Sequence, residues 1–165
     1  MNFISKLIRY YKIKQLEKKF SFAKKAWVEL PQNMYGHVFV FGSNLAGKHC
    51  GGAAFIAKGC YGAKDGVGQG PHGNSYAIPT LGFKFEPLQS LHLFGFIDEF
   101  LKEAKRNPQT TYHLTPIGCG IAGYKVSDIA PAFMYATKNV ILPIEFKEWF
   151  IDNYEIVIHY GDKNV

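Results

Sequence analysis

The chain has little cysteine, no long apolar run and almost no acid near its start, and each shortage excludes something. Its cysteines, Cys50, Cys60 and Cys119, are three in number and show no Cys-x-x-Cys spacing. Neither a disulfide framework nor a structural zinc site is expected, and the pattern suits a reducing compartment, the cytoplasm. No metal-ligand set and no cofactor are anticipated. The longest apolar stretches, His37–Gly42 and Val140–Ile144, fall far short of the roughly 20 residues that a bilayer span requires. The opening MNFISKLIRYY has neither a clean apolar h-region nor a small-residue cleavage site, so no secretory signal is expected. A length of 165 residues, 47% hydrophobic and 19% charged, suits one globular domain.

Acidic residues are scarce in one place above all. Among residues 1–25, Lys6, Arg9, Lys12, Lys14, Lys18, Lys19, Lys24 and Lys25 stand against Glu17 alone, a net +7 in a chain whose total is +6. The remainder is therefore near neutral, and the basic character belongs to an expected extension over residues 1–30. Within it Phe3, Ile4, Leu7, Ile8, Tyr11, Ile13 and Leu16 recur near helical spacing, which predicts an amphipathic helix. Two readings follow: contact with an anionic membrane surface, a nucleic acid or a protein partner through residues 1–27, or a helix docked on the domain with its lysines in water. No recognisable nucleic-acid module accompanies the lysines, so nucleic acid is not the expected partner. Nothing in the sequence specifies an oligomeric state.

From about residue 31 onward short apolar runs alternate with longer amphipathic segments, the pattern of a single α/β domain over 31–165. Strands are predicted at His37–Phe41, Ser75–Ile78, Thr111–Ile117 and Asn139–Leu142, with a last edge strand at Tyr154–Tyr160. Helices are predicted at Gly51–Cys60, Leu88–Asn107, Ser127–Thr137 and Phe146–Ile151, the third capped by Ser127. That alternation implies a mostly parallel sheet between two helical layers, a three-layer α/β/α fold.

Open sheets of this kind bind ligands at the carboxyl ends of their strands, and three glycine-rich loops are expected there. The first, Phe41–Ala54, carries Gly42, Gly47, Gly51 and Gly52 and leads into a helix whose free N–H groups suit an anion, with Lys48 adding charge. Its spacing is neither Gly-x-x-x-x-Gly-Lys-Ser/Thr nor Gly-x-Gly-x-x-Gly, so it is neither a P-loop nor a dinucleotide fingerprint. The second, Gly62–Gly73, reads either as a shaped ligand-facing turn or as a flexible surface connection. In the third, Thr115–Tyr124, Gly118, Gly120 and Gly123 can wrap a diphosphate with main-chain amides. Tyr124 there either covers a sugar or base, or caps the core.

The segments Phe41-Gly-Ser-Asn44, Ser75-Tyr-Ala-Ile-Pro-Thr80 and Ile117-Gly-Cys-Gly-Ile-Ala-Gly-Tyr124 resemble the macro-domain-like superfamily, and more closely a compact microbial and phage-associated branch of it. The likeness covers roughly Val38 to Pro143. The resemblance to ligand-binding macro domains rests on Asn44 after the first strand, the Gly51-Gly-Ala53 helix start and the glycine loop Gly118–Gly123. It implies a macro-like mixed sheet and a site for ADP-ribose or a related phosphate-bearing nucleotide, in some members with hydrolysis of an ADP-ribosyl bond. The pyrophosphate would lie between the first and third loops, with Asn44 near the distal ribose. An acidic residue near the adenine amine, common in macro domains, has no evident equivalent, which leaves the nucleotide open.

The candidate ligand-binding residues are therefore Gly42, Ser43, Asn44, Lys48, Gly51 and Gly52, with Gly118, Cys119, Gly120, Ile121, Ala122, Gly123 and Tyr124. For catalysis the candidates are Asn44 and His49, the histidine as a general base that orients a water, with loop hydrogen bonding as its plainer role. His72 is a second histidine candidate. Cys50 and Cys119 stand in glycine loops where helix-directed amides lower a thiol pKa, a weaker route to a nucleophile.

Overall fold

The computed structural model describes residues 2–25 and 30–160, without the side chain of Tyr160. The end of the charge run predicts a linker around Glu29–Met34, and its first residue lies outside the described residues. Among the described residues six helices and six strands follow in the order α1 (Phe3–Lys19), β1 (Ser21–Phe22), β2 (His37–Asn44), α2 (Gly52–Cys60), β3 (Gly70–His72), β4 (Ser75–Leu81), α3 (Ser90–Arg106), β5 (Thr111–Leu114), α4 (Val126–Ile129), β6 (Val140–Leu142), α5 (Ile144–Asp152) and α6 (Tyr154–Tyr160). The strands form one sheet in the order β1-β6-β5-β2-β4-β3. Every pairing is parallel except β3 with β4, so the expected three-layer, mostly parallel α/β fold is present.

Period-two alternation sorts the core into its layers. On β2, Phe39 and Phe41 face α2 and pack with Ala54, Ala57, Ala63 and Ala77. Val40 joins the opposite face with Tyr76, Ile78, Tyr112, Leu114, Val140 and Leu142, beneath α3, α5 and the turns between them. The second cluster is much the larger and carries the ring contacts of Phe100 with Tyr76, Tyr112 and Phe133. α2 can lie close to the sheet because its inward positions are alanines.

The basic segment shares that larger core. Leu16 and Phe20 are fully buried, and the Phe20 ring meets Phe150 edge-on at 4.9 Å. Ser21 and Phe22 pair in parallel with Ile141 and Leu142, so the segment supplies the sheet's edge strand. Arg9 grips Glu148 of α5 through both carboxylate oxygens at 2.7 Å, and Lys147 reaches Glu17 at 3.0 Å.

β1 and β3 were not expected, β4 runs three residues past its expected end to Leu81, and four further elements depart from expectation. Tyr154–Tyr160 is a helix, not an edge strand: Tyr154 and Val157 are buried and Ile156 is 48% exposed, the spacing of one helical face. The helix expected at 127–137 stops after Ile129 and tightens into a 3-10 turn at Ala130–Phe133, because Pro131 has no N–H for the ladder. Its first turn is capped by the Asp128 carboxylate, which accepts from the Lys125 amide at 2.9 Å, and not by Ser127. β2 runs three residues past its expected end, to Asn44, and the register against β4 shifts between Ser43 and Asn44, opposite Pro79–Leu81. β5 is shorter than expected and ends at Leu114, before Pro116.

Candidate functional site

The carboxyl ends of β2, β4 and β5 open into a cavity of about 560 Å3, within the range that small-molecule sites occupy. Its walls come from the first and third glycine loops. Gly42, Ser43, Asn44, Lys48, Gly51 and Gly52 line one side, and Gly118, Cys119, Gly120, Ile121 and Ala122 line the other. Eleven of the thirteen expected ligand-binding residues thus converge on one space. Gly123 and Tyr124 do not line it. The Tyr124 hydroxyl donates to the carbonyls of Thr80, at 3.3 Å, and Leu88, at 2.5 Å, which ties the third loop to the β4–α3 connection, and its ring packs against the core.

The backbone explains why glycine stands where it does. Gly118 has φ +73°, and a Cβ there would lie 2.8 Å from the Tyr124 ring, so both the turn and the ring's seat require the missing side chain. Gly68 behaves alike: its Cβ would meet the Asn44 carbonyl oxygen at 2.3 Å. That contact, with the Gly66 amide donating to the Gly47 carbonyl at 2.9 Å, shows what the second loop does. It is neither a ligand-facing turn nor a loose connection; it buttresses the first loop from behind.

The side-chain polar groups of the walls are mostly committed to the fold. The Asn44 amide closes its own loop, donating to the Lys48 carbonyl at 2.7 Å and accepting from the Lys48 amide at 3.0 Å. Thr80 donates to the Ser43 carbonyl and Thr115 to the Val40 carbonyl. What the lining residues leave unspent is backbone. Among the described residues, the amides of Gly52, Ala53 and Ala54 at the start of α2 and of Gly120, Ile121 and Ala122 have no protein acceptor. α2 carries no acid in its first turn, so no side chain of its own neutralises the positive end of its dipole. Ile121 leans across from the third loop, its Cδ1 3.4 Å from where a Gly51 Cβ would stand, and clasps the two amide groups together.

His49 is not on the wall. It is 1% exposed, edge-on to Phe41 at 5.2 Å, with Nε2 3.4 Å from the Ser43 hydroxyl and Nδ1 3.9 Å from the Asp65 carboxylate. Nδ1 makes no hydrogen bond among the described residues. Burial lowers its pKa, against the pull of Asp65, so the ring is neutral and held behind the loop. Asp65 also accepts from the His49 amide at 3.2 Å and pairs with Lys58, which locks the turn that presents Cys50 and Gly51. His72 lies outside the cavity and meets the Gly62 carbonyl. Cys50 and Cys119 do line it, but burial, with Glu145 and Asp128 nearby, raises the Cys119 thiol pKa, the opposite of activation.

Sequence reasoning missed Phe85. It lines the cavity from the β4–α3 connection, has φ +64°, the sole non-glycine with positive φ among the described residues, and lies under the Lys48 ammonium, 5.9 Å from the ring centroid. Only the run Phe83-Lys-Phe85, aromatic on a polar connection just before Pro87, could have flagged it. No set of three or more His, Cys, Asp or Glu side chains among the described residues could hold a metal. No helix among them is long and apolar enough to cross a membrane. No protein-family model, no curated protein and no solved structure matches the chain.

Proposed function

We propose that this cavity binds ADP-ribose or a related phosphate-bearing nucleotide. The observation that carries the reading is the convergence of unpaired amides from two loops on one cavity, Gly52–Ala54 on one side and Gly120–Ala122 on the other. Such an arrangement answers a diphosphate, whose oxygens accept several N–H bonds at once and whose charge the α2 dipole and Lys48 both favour. The apolar wall of Leu81, Phe85 and Ile117 suits a base or sugar face beside it. The resemblance to macro domains implies the same ligand class.

Binding, more than turnover, is what these groups support. Hydrolysis of an ADP-ribosyl bond needs a base that reaches a water over the anomeric carbon, and His49 is sealed behind the loop. Calorimetry of the whole chain with ADP-ribose, NAD and ATP, each sample assayed afterwards for ligand consumption, tests both halves. Saturable binding of ADP-ribose without consumption is expected. Gly120→Glu supplies the decisive variant: nothing lies within 4 Å of its added Cβ, so the fold should persist while a carboxylate enters the phosphate position and binding falls at least about a hundredfold. Affinity unchanged in Gly120→Glu would sink the phosphate assignment, and consumption of ligand lost in His49→Ala would move the reading to an enzyme.

A further inference from the structure

α1 has two faces, and among the described residues only one is covered. Arg9, Ile13 and Leu16, at i, i+4 and i+7, form the covered side: Arg9 is bound to Glu148, Ile13 packs on the core and Leu16 is fully buried. Phe3, Ile4, Leu7 and Ile8, at i, i+1, i+4 and i+5, share the other side. They are 79, 66, 57 and 52% exposed. Lys6 is exposed beside them, and Lys14 and Lys18 are exposed further along the helix. Over its whole length α1 carries six basic residues and one acid. Apolar side chains of this size, clustered and turned to solvent, mark a contact surface.

We propose that this face of α1 docks in the plane of a bilayer that carries anionic lipid. Phe3, Ile4, Leu7 and Ile8 enter the boundary between headgroups and acyl chains, and Lys6, Lys14 and Lys18 lie among the headgroup phosphates and carboxylates. Charge complementarity selects this occupant over the others. A nucleic acid would use the lysines but leave the apolar stripe in water. A second copy of the chain would bring another strongly positive α1 against the first. An anionic lipid surface satisfies both the stripe and its flanks, and α1 reaches it without leaving α5. The inference is independent of the cavity, none of whose lining residues belongs to α1.

The test is co-sedimentation of the whole chain with phosphatidylcholine vesicles, with and without about 30% phosphatidylserine. Partitioning should be at least about tenfold stronger on the anionic vesicles. Ile4→Glu with Leu7→Glu should lower it about tenfold or more, and Lys6→Glu with Lys18→Glu should abolish the preference for phosphatidylserine. All four positions are exposed, so thermal melts and nucleotide binding should match the parent. Leu91→Glu, a change at a residue 81% exposed on α3, should leave partitioning unaltered. Three results would overturn the proposal: no partitioning to either vesicle, equal partitioning of parent and Ile4→Glu/Leu7→Glu, or capture of duplex DNA or self-association in place of vesicle binding.

Discussion

Phe85 shows how a single residue can report a site that patterns of residues do not. A phenylalanine at φ +64° carries backbone strain on the order of 1–2 kcal/mol, because its Cβ crowds the following carbonyl. Here the strain coincides with a ring on the cavity wall beneath Lys48. Phe85→Gly separates strain from contact, since glycine adopts this φ freely. We expect the melting temperature to hold or rise while ADP-ribose affinity falls about tenfold, the value of one lost stacking partner. A lower melting temperature with unchanged affinity would mean the ring serves packing alone. His49 carries the opposite lesson. It stands where a loop base was expected, yet its neighbours are Phe41, Ser43 and Asp65, so its place in the sequence beside Lys48 says nothing of which way it faces.

At the scale of elements, what was legible depended on whether local pattern and tertiary packing agreed. β2 and α2 were readable because an apolar run meets a glycine junction there and nothing competes. The walls of the cavity were readable because glycine clusters directly follow β2 and β5, whereas the second glycine loop serves only to buttress the first. α6 was misread because Tyr154–Tyr160 mixes apolar and polar residues so closely that both periods fit; only its seat beside α5 and α1 decides. β1 left no signal, for a two-residue strand has no period. The basic helix was readable as a helix, but Leu16, which with Phe20 binds it into the core, looks in sequence like any other member of its stripe. Leu16→Ala should therefore cost about 2–5 kcal/mol of global stability in a single denaturant transition. Leu7→Ala, on the exposed face, should stay within about 0.5 kcal/mol. Equal, small effects at both positions would mean that α1 contributes nothing to the core.

The whole molecule is lopsided, and its acid sensitivity follows from that. One face of the sheet holds the large apolar core, whereas the thinner layer under α2 admits polar rings. On β5, His113 alternates with Tyr112 and Leu114 and so turns to this thinner side, 7% exposed, with its Nε2 2.9 Å from Nδ1 of His37. Burial, then the neighbouring His37, pushes the His113 pKa down to about 4. An unfolded histidine titrates near 6.5. Between those values the unfolded chain holds a proton that the folded chain does not, so stability is complete above about pH 6.5 and declines as the pH falls toward 4. The slope approaches about 1.4 kcal/mol per pH unit, roughly 3 kcal/mol across the window. His49 titrates in the same sense, because burial lowers its pKa too. Asp65, held below the usual carboxylate range chiefly by Lys58, adds its loss only at lower pH. His113→Gln keeps a polar side chain of similar reach and cannot take up charge. Urea denaturation at pH 7, 5.5 and 4.5 should show the parent losing stability steeply and His113→Gln losing much less. Parallel slopes for the two proteins would place the acid-sensitive group elsewhere.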